Sequence, residues 1–180
     1  MTIVLNGTSG VQFPLGTVSA PSLTNTTAQA TGLYYPSSTT IGLSANGADA
    51  IRIDASQNVN LGTSGVTCKL YVSGSAASNI YALTDAATIT PDFSTGNNFS
   101  VTLGGNRTLA NPTNLTAGQS GMIFVTQDAT GGRTLAYGTY WKFPNGAAPL
   151  LSTAASAVDA IAFIVRSTTS ITAQLIQNIG

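Results

Sequence analysis

The chain has 180 residues, of which 43% are hydrophobic and 7% charged, which does not read as a disordered polymer. Six basic residues balance six acidic ones, all Asp, and this zero net charge, with the basic residues scattered, argues against the phosphate-neutralising surface of a nucleic-acid binder and against a strong pull to an anionic membrane. His is absent and Cys68 stands alone, which excludes imidazole catalysis, a His metal site, an internal disulfide and a multi-Cys zinc cluster; no cofactor is expected.

Chain order suggests three sections. Residues 1–31 open with apolar patches at Ile3–Leu5 and Val11–Phe13 around an Asn6-Gly7 turn. A Ser/Thr/Ala stretch with Pro21 follows. Large apolar residues are few here, so an extended N-terminal arm is expected, lying on something else. The start, Met1-Thr2-Ile3-Val4-Leu5, lacks a basic leader, and no apolar run approaches the roughly 20 residues of a membrane span, so synthesis in a host cytoplasm without processing is expected.

Residues 32–79 read as a β-hairpin stem. Ile51-Arg52-Ile53-Asp54 alternates apolar with charged, Ala55-Ser56-Gln57 turns the chain, and Asn58-Val59-Asn60-Leu61 alternates again. Lys69–Val72 reads as a further strand containing Leu70, with Cys68 as a small half-buried residue beside it. A hairpin alone is marginal in water. Hairpins with one apolar face each suit copies that share a core, and Ile51, Ile53, Val59, Leu61 and Leu70 are the candidate subunit-interface residues. The small-residue run Ser73–Ser78 reads as a hinge.

Residues 80–180 carry larger, denser apolar patches. Eight strands are predicted, at Ile80–Thr84, Ala87–Thr90, Phe99–Leu103, Gly121–Gln127, Arg133–Tyr137, Tyr140–Phe143, Ala160–Arg166 and Ile171–Gln177. Turn signals such as Gly104-Gly105 and Thr130-Gly131-Gly132 separate them. The fold class is all-β, with this part a jelly-roll-like β-sandwich. In the run Ile161-Ala162-Phe163-Ile164-Val165 the odd-numbered side chains should face the core, and Ile164 a neighbouring subunit.

Chemistry is sparse. The two carboxylates of a glycosidase could be sought in Asp49 with Asp54 or Asp85 with Asp92, which are close in sequence, but Asp54 more simply caps its own turn and each Asp reads as structural. No calcium-loop spacing, phosphate loop or nucleophile elbow occurs. No enzyme is expected. Tyr34, Tyr35, Tyr140 and Trp141 are candidate glycan contacts, weighed against core packing.

The stretches Gly32–Pro36, Ile51–Thr63 and Leu70–Gly74 resemble the β-repeat of tailed-bacteriophage fibre proteins, where a "D-x-S-G-N-V" turn precedes a strand ending in "V-S-G". Gln57 stands where that pattern often has Gly. The opening Leu5–Pro14 resembles fibre segments too, and residues 80–180, above all Gly121–Phe143, are similar to a small C-terminal β-domain of phage structural proteins. The resemblance implies a homotrimeric, non-enzymatic virion structural protein. A capsid decoration or cement protein, or a short head fibre, is the first expectation, because an arm weak in core residues suits a capsid surface and the major capsid protein as partner. The alternative is a tail fibre that recognises host surface glycans.

Overall fold

A computed structural model describes residues 4–6, 10–62 and 75–180, and side chains from Phe13 onward within those ranges. The strand expected at Lys69–Val72, with Cys68 and Leu70, lies outside the described residues, as does the start of the expected hinge. The chain is all-β and divides into two compact units, residues 1–75 and 76–180. No helix among the described residues is long and apolar enough to cross a membrane.

In the first unit, β1 (Val4–Asn6) and β2 (Gly10–Gln12) pair antiparallel. Five further strands form an antiparallel meander in chain order: β3 (Leu23–Thr24), β4 (Gly32–Ser37), β5 (Thr40–Ala45), β6 (Ala48–Ile53) and β7 (Val59–Leu61). The segment expected as an arm is tied to this sheet where β3 pairs with β4 and where the Gly16 amide donates to the Tyr35 carbonyl at 3.2 Å. Asn46 and Gly47, both at positive φ, make the tight turn between β5 and β6, as an Asn-Gly pair favours in a two-residue hairpin loop. The hairpin predicted over residues 49–61 is β6–β7, with Ile51 opposite Leu61 and Ile53 opposite Val59. Asp54 closes it, accepting from the Ser56 and Asn58 amides at 2.9 Å each. Gln57 takes φ +67°, the left-handed conformation that Gly would adopt without cost.

The second unit has nine strands, one more than expected. β8 (Ile80–Ala82), β10 (Asn98–Leu103) and β12 (Ser120–Gln127) stack parallel in one sheet. β9 (Thr88–Ile89), β11 (Arg107–Leu109) and β13 (Leu135–Tyr137) stack parallel in the other. The chain alternates between the sheets and so winds through three coils. β14 (Trp141–Lys142), the single 3-10 turn Pro144–Gly146, and the long antiparallel hairpin β15 (Val158–Ser167) and β16 (Ser170–Ile176) complete the larger sheet, ordered β14-β16-β15-β12-β10-β8.

This corrects the jelly-roll expectation. A jelly roll is built from antiparallel Greek keys. Here Gly104-Gly105 and Thr130-Gly131-Gly132 lie at corners that carry the chain to the opposite sheet, not at hairpins within one. Both sheets meet at one core. Ile89, Leu109 and Leu135 of the smaller sheet pack with Phe99, Val101, Ile123, Val125, Ile161, Phe163 and Val165 of the larger.

The few charges staple the corners of the coil. Arg107 donates to both carboxylate oxygens of Asp85, Nε at 2.7 Å and Nη2 at 2.6 Å, joining the first corner to the second. Arg133 grips Asp128 in the third corner, with Nε at 3.0 Å and Nη2 at 2.7 Å. The Gln127 side chain, 3% exposed, closes that corner by bonding the Arg133 amide and carbonyl. Asp159, 2% exposed, accepts from the Ser152 and Asn178 amides and so ties down the chain end.

Candidate functional site

The register of the meander decides which side chains share a face. Leu23, Leu33, Leu43, Ile51 and Leu61 sit directly opposite one another across all five strands. Ile41, Ile53 and Val59 form a second row on the same face. Among the described residues of the unit, nothing covers these rows. Leu43 is 42% exposed, Ile53 37% and Val59 61%. Four of the five candidate interface residues of the stem, Ile51, Ile53, Val59 and Leu61, therefore lie together on one apolar face. The pattern that points to Ile41 and Leu43 is the alternation Ile41-Gly42-Leu43-Ser44, whose small partners face the other way.

The opposite face is polar and closed on itself. Tyr34 is 1% exposed, and its ring lies on Gly42, where any β-carbon would overlap it. Its hydroxyl donates to Asp49 Oδ1 and accepts from Arg52 Nη2 at 3.0 Å, and Arg52 pairs with Asp49 Oδ2 at 3.0 Å. Burial, then the Asp49 carboxylate, push the Tyr34 phenol above its ordinary value. Tyr34 offers no free ring face to a sugar.

The other aromatic candidates separate likewise. Trp141 is 5% exposed, donates Nε1–H to the Ala110 carbonyl at 3.0 Å and meets Phe93 and Phe163 edge-on, so it is a core residue. Tyr140 packs partly buried against the same core. Tyr35 is half-buried and lines a shallow notch with Phe13 and Leu15. Tyr34 and Trp141 are thus each buried within their own unit.

In the second unit, Ile161, Phe163 and Val165 are buried and Ile164 is 47% exposed, the alternation expected from the sequence. Ile164 lies on the outer face of the larger sheet, opposite Ser120 and Thr172. A cleft of about 400 Å³ opens where the first coil begins, walled by Tyr81, Thr84, Thr88, Thr90, Asp92 and Thr95.

All six carboxylates have structural work. Asp54, Asp85, Asp92 and Asp128 are held below the usual carboxylate range, by Asn58, Arg107, Asn114 and Arg133 respectively. A depressed folded-state pKa contributes stability that is present above the unfolded value, about 3.9 for Asp, and lost as pH falls through the folded value. With no His, no such loss is expected between about pH 5 and 8. The thermal midpoint should therefore be flat across that range and fall below about pH 4, which a calorimetric pH series would check. A step near pH 6 would contradict this assignment.

Residues 89–170, just under half of the chain, match the sequence model of a family described as "Putative phage tail fibre C-terminal domain". The matched segment runs from β9 to the first residue of β16 and so covers most of the coiled unit. No curated protein and no solved structure matches the chain significantly. The family match supports a phage virion structural protein.

Proposed function

We propose that the protein is a subunit of a phage tail fibre, assembled as a homotrimer through the apolar face of its meander, with the coiled unit turned to glycans of the host surface. The observation that carries the assembly is the unbroken pair of apolar rows on a sheet that has no second layer among the described residues of its unit. Among the described residues of the first unit, Tyr34 is the one large hydrophobic side chain that is fully buried. A sheet with one apolar face needs a cover. Three such faces turned toward a common axis enclose a shared core and leave the Tyr34–Asp49–Arg52 face outward.

The family match favours a tail fibre over the capsid decoration, cement or head-fibre reading. Two measurements test the proposal. Light scattering of the purified chain should give three times the chain mass, and a folded monomer at micromolar concentration would end the shared-core reading. Antibody labelling of particles should mark the tail with few copies. Dense labelling of the head would return the protein to the capsid.

A further inference from the structure

We infer that the cleft at the open end of the coil is a preformed binding subsite for an uncharged hexose, with Tyr81 as its stacking platform; this rests on the receptor-recognition reading above.

The cleft exists because the coil has a first turn. β8 pairs only with β10 and β9 only with β11, so no further strand of the second unit pairs on the outer side of the first coil. At this open end the wall changes character. Beside Leu83 and Ile89, which continue the apolar lining of the inner coils, the mouth adds Thr84, Thr88, Thr90 and Thr95. The Thr84, Thr88 and Thr90 hydroxyls have no hydrogen-bond partner within the described residues. Such groups sit at the surface without penalty and are free to bond a ligand that is itself all hydroxyls.

Tyr81 is the one aromatic ring in this wall, 38% exposed, and it is held in place. One side of the ring rests on Gly96, where a β-carbon would strike Cε2 and Cδ2. It also packs on Phe99, with ring centroids 6.4 Å apart. The loop beneath is pinned in turn. The Gln119 amide donates to the Phe93 carbonyl at 2.8 Å and to the Gly96 carbonyl at 3.0 Å. Asp92 Oδ1 accepts from the Ser94 amide, the Ser94 hydroxyl and Asn114. Those bonds leave Asp92 Oδ2 free to accept from a sugar hydroxyl. A platform fixed before binding loses little entropy when a ligand arrives.

The chemistry selects the ligand class. A cleft of about 400 Å³ falls in the range of small-ligand sites. A rigid exposed ring suits the C–H face of a pyranose, and hydroxyls with one carboxylate suit its rim. No Lys or Arg lines the cleft, and Asp92 repels anions, so acidic sugars are disfavoured.

The test is saturation-transfer NMR on the full chain with methyl β-galactopyranoside, methyl α-glucopyranoside and methyl α-mannopyranoside, with methyl glucuronide as the anionic control. At least one neutral glycoside should receive magnetisation, mainly at ring C–H groups, and the glucuronide none. Tyr81→Ala should weaken binding at least tenfold, Tyr81→Phe should largely keep it, and Thr88→Val should weaken it without altering the thermal midpoint. A parallel array of bacterial surface polysaccharides separates this site from the broader reading. If wild type binds the array and Tyr81→Ala and Thr88→Val bind equally well, the receptor reading stands and this site is wrong. If wild type binds neither glycoside nor array, both fall. Preference for the glucuronide, or a Tyr81 buried by pairing of β8 between chains, would also overturn the assignment.

Discussion

Phe163→Ala should destabilise the coiled unit by about 3–5 kcal/mol, as large-to-small changes at buried Phe do. The ring is 5% exposed and sits at the centre of an aromatic cluster, stacked on Phe93 at 4.8 Å and edge-on to Trp141 at 6.3 Å. Its neighbours in register are Gly121 and Ala173, both small, so the ring fills space that neither can close over once it is gone. Gly121 cannot compensate by growing, because a β-carbon there would collide with the Asn97 carbonyl. The cavity should therefore persist and its full penalty be felt. Such a loss is a large part of the 5–15 kcal/mol that holds an ordinary domain together. Chemical denaturation of residues 76–180 and of the full chain should show the same loss of midpoint. Ile164→Asp, one residue along the same strand, is the control. It points outward, so the unit should unfold at nearly the wild-type midpoint, and any defect should appear in assembly. A Phe163→Ala loss under about 1 kcal/mol would mean that the site collapses or that Phe163 is not the centre of the core.

The alternation around Phe163 was legible because a strand with one buried face has a period of two, and Ile161, Phe163 and Val165 keep it. The same rule located the β6–β7 hairpin and its Asp54 turn. It could not reveal which strands pair. Parallel and antiparallel sheets read alike when strands are short, and the corners of the coil use the same Gly pairs as hairpins do. Hence the strands were largely found and the jelly roll was wrong. β11 was missed because Arg107-Thr108-Leu109 is too short to show any period. Its place is fixed instead by the Arg107–Asp85 pair, which joins residues far apart in sequence. Tyr34 and Trp141 looked like sugar platforms because an aromatic beside another aromatic carries no mark of which face it will show. Their burial depends on Gly42 and Ala110, which tertiary structure alone brings to them. Tyr81 was passed over for the converse reason. It sits in an ordinary strand pattern, and its 38% exposure comes from β8 being an edge strand of the larger sheet, which tertiary structure alone decides.

Leu43→Asp should convert the assembled protein to separate chains while leaving the coiled unit folded. Leu43 is the middle of the five-strand row, with Leu33 on one side and Ile51 on the other, and Ile41 lies on the same face. In the isolated unit it is 42% exposed, so an Asp there would still reach water, and the meander has no reason of its own to unfold. In a shared core the same carboxylate would be enclosed by apolar side chains from every copy at once. Burying an unpaired charge costs several kcal/mol per ion, and symmetry repeats that cost in each chain. Among the described residues of the unit, no cation shares the face of position 43. The nearest cation of the sheet, Arg52, is on the other face and already engaged by Asp49. Leu43→Ala should weaken association by far less, since it removes only buried area. Asp49→Asn, on the polar face, should leave the mass unchanged. Sedimentation of the three variants at matched concentration reads the result directly, with denaturation of the coiled unit as the check on folding. If Leu43→Asp sediments as wild type, this face is turned to solvent and the proposed shared core is wrong.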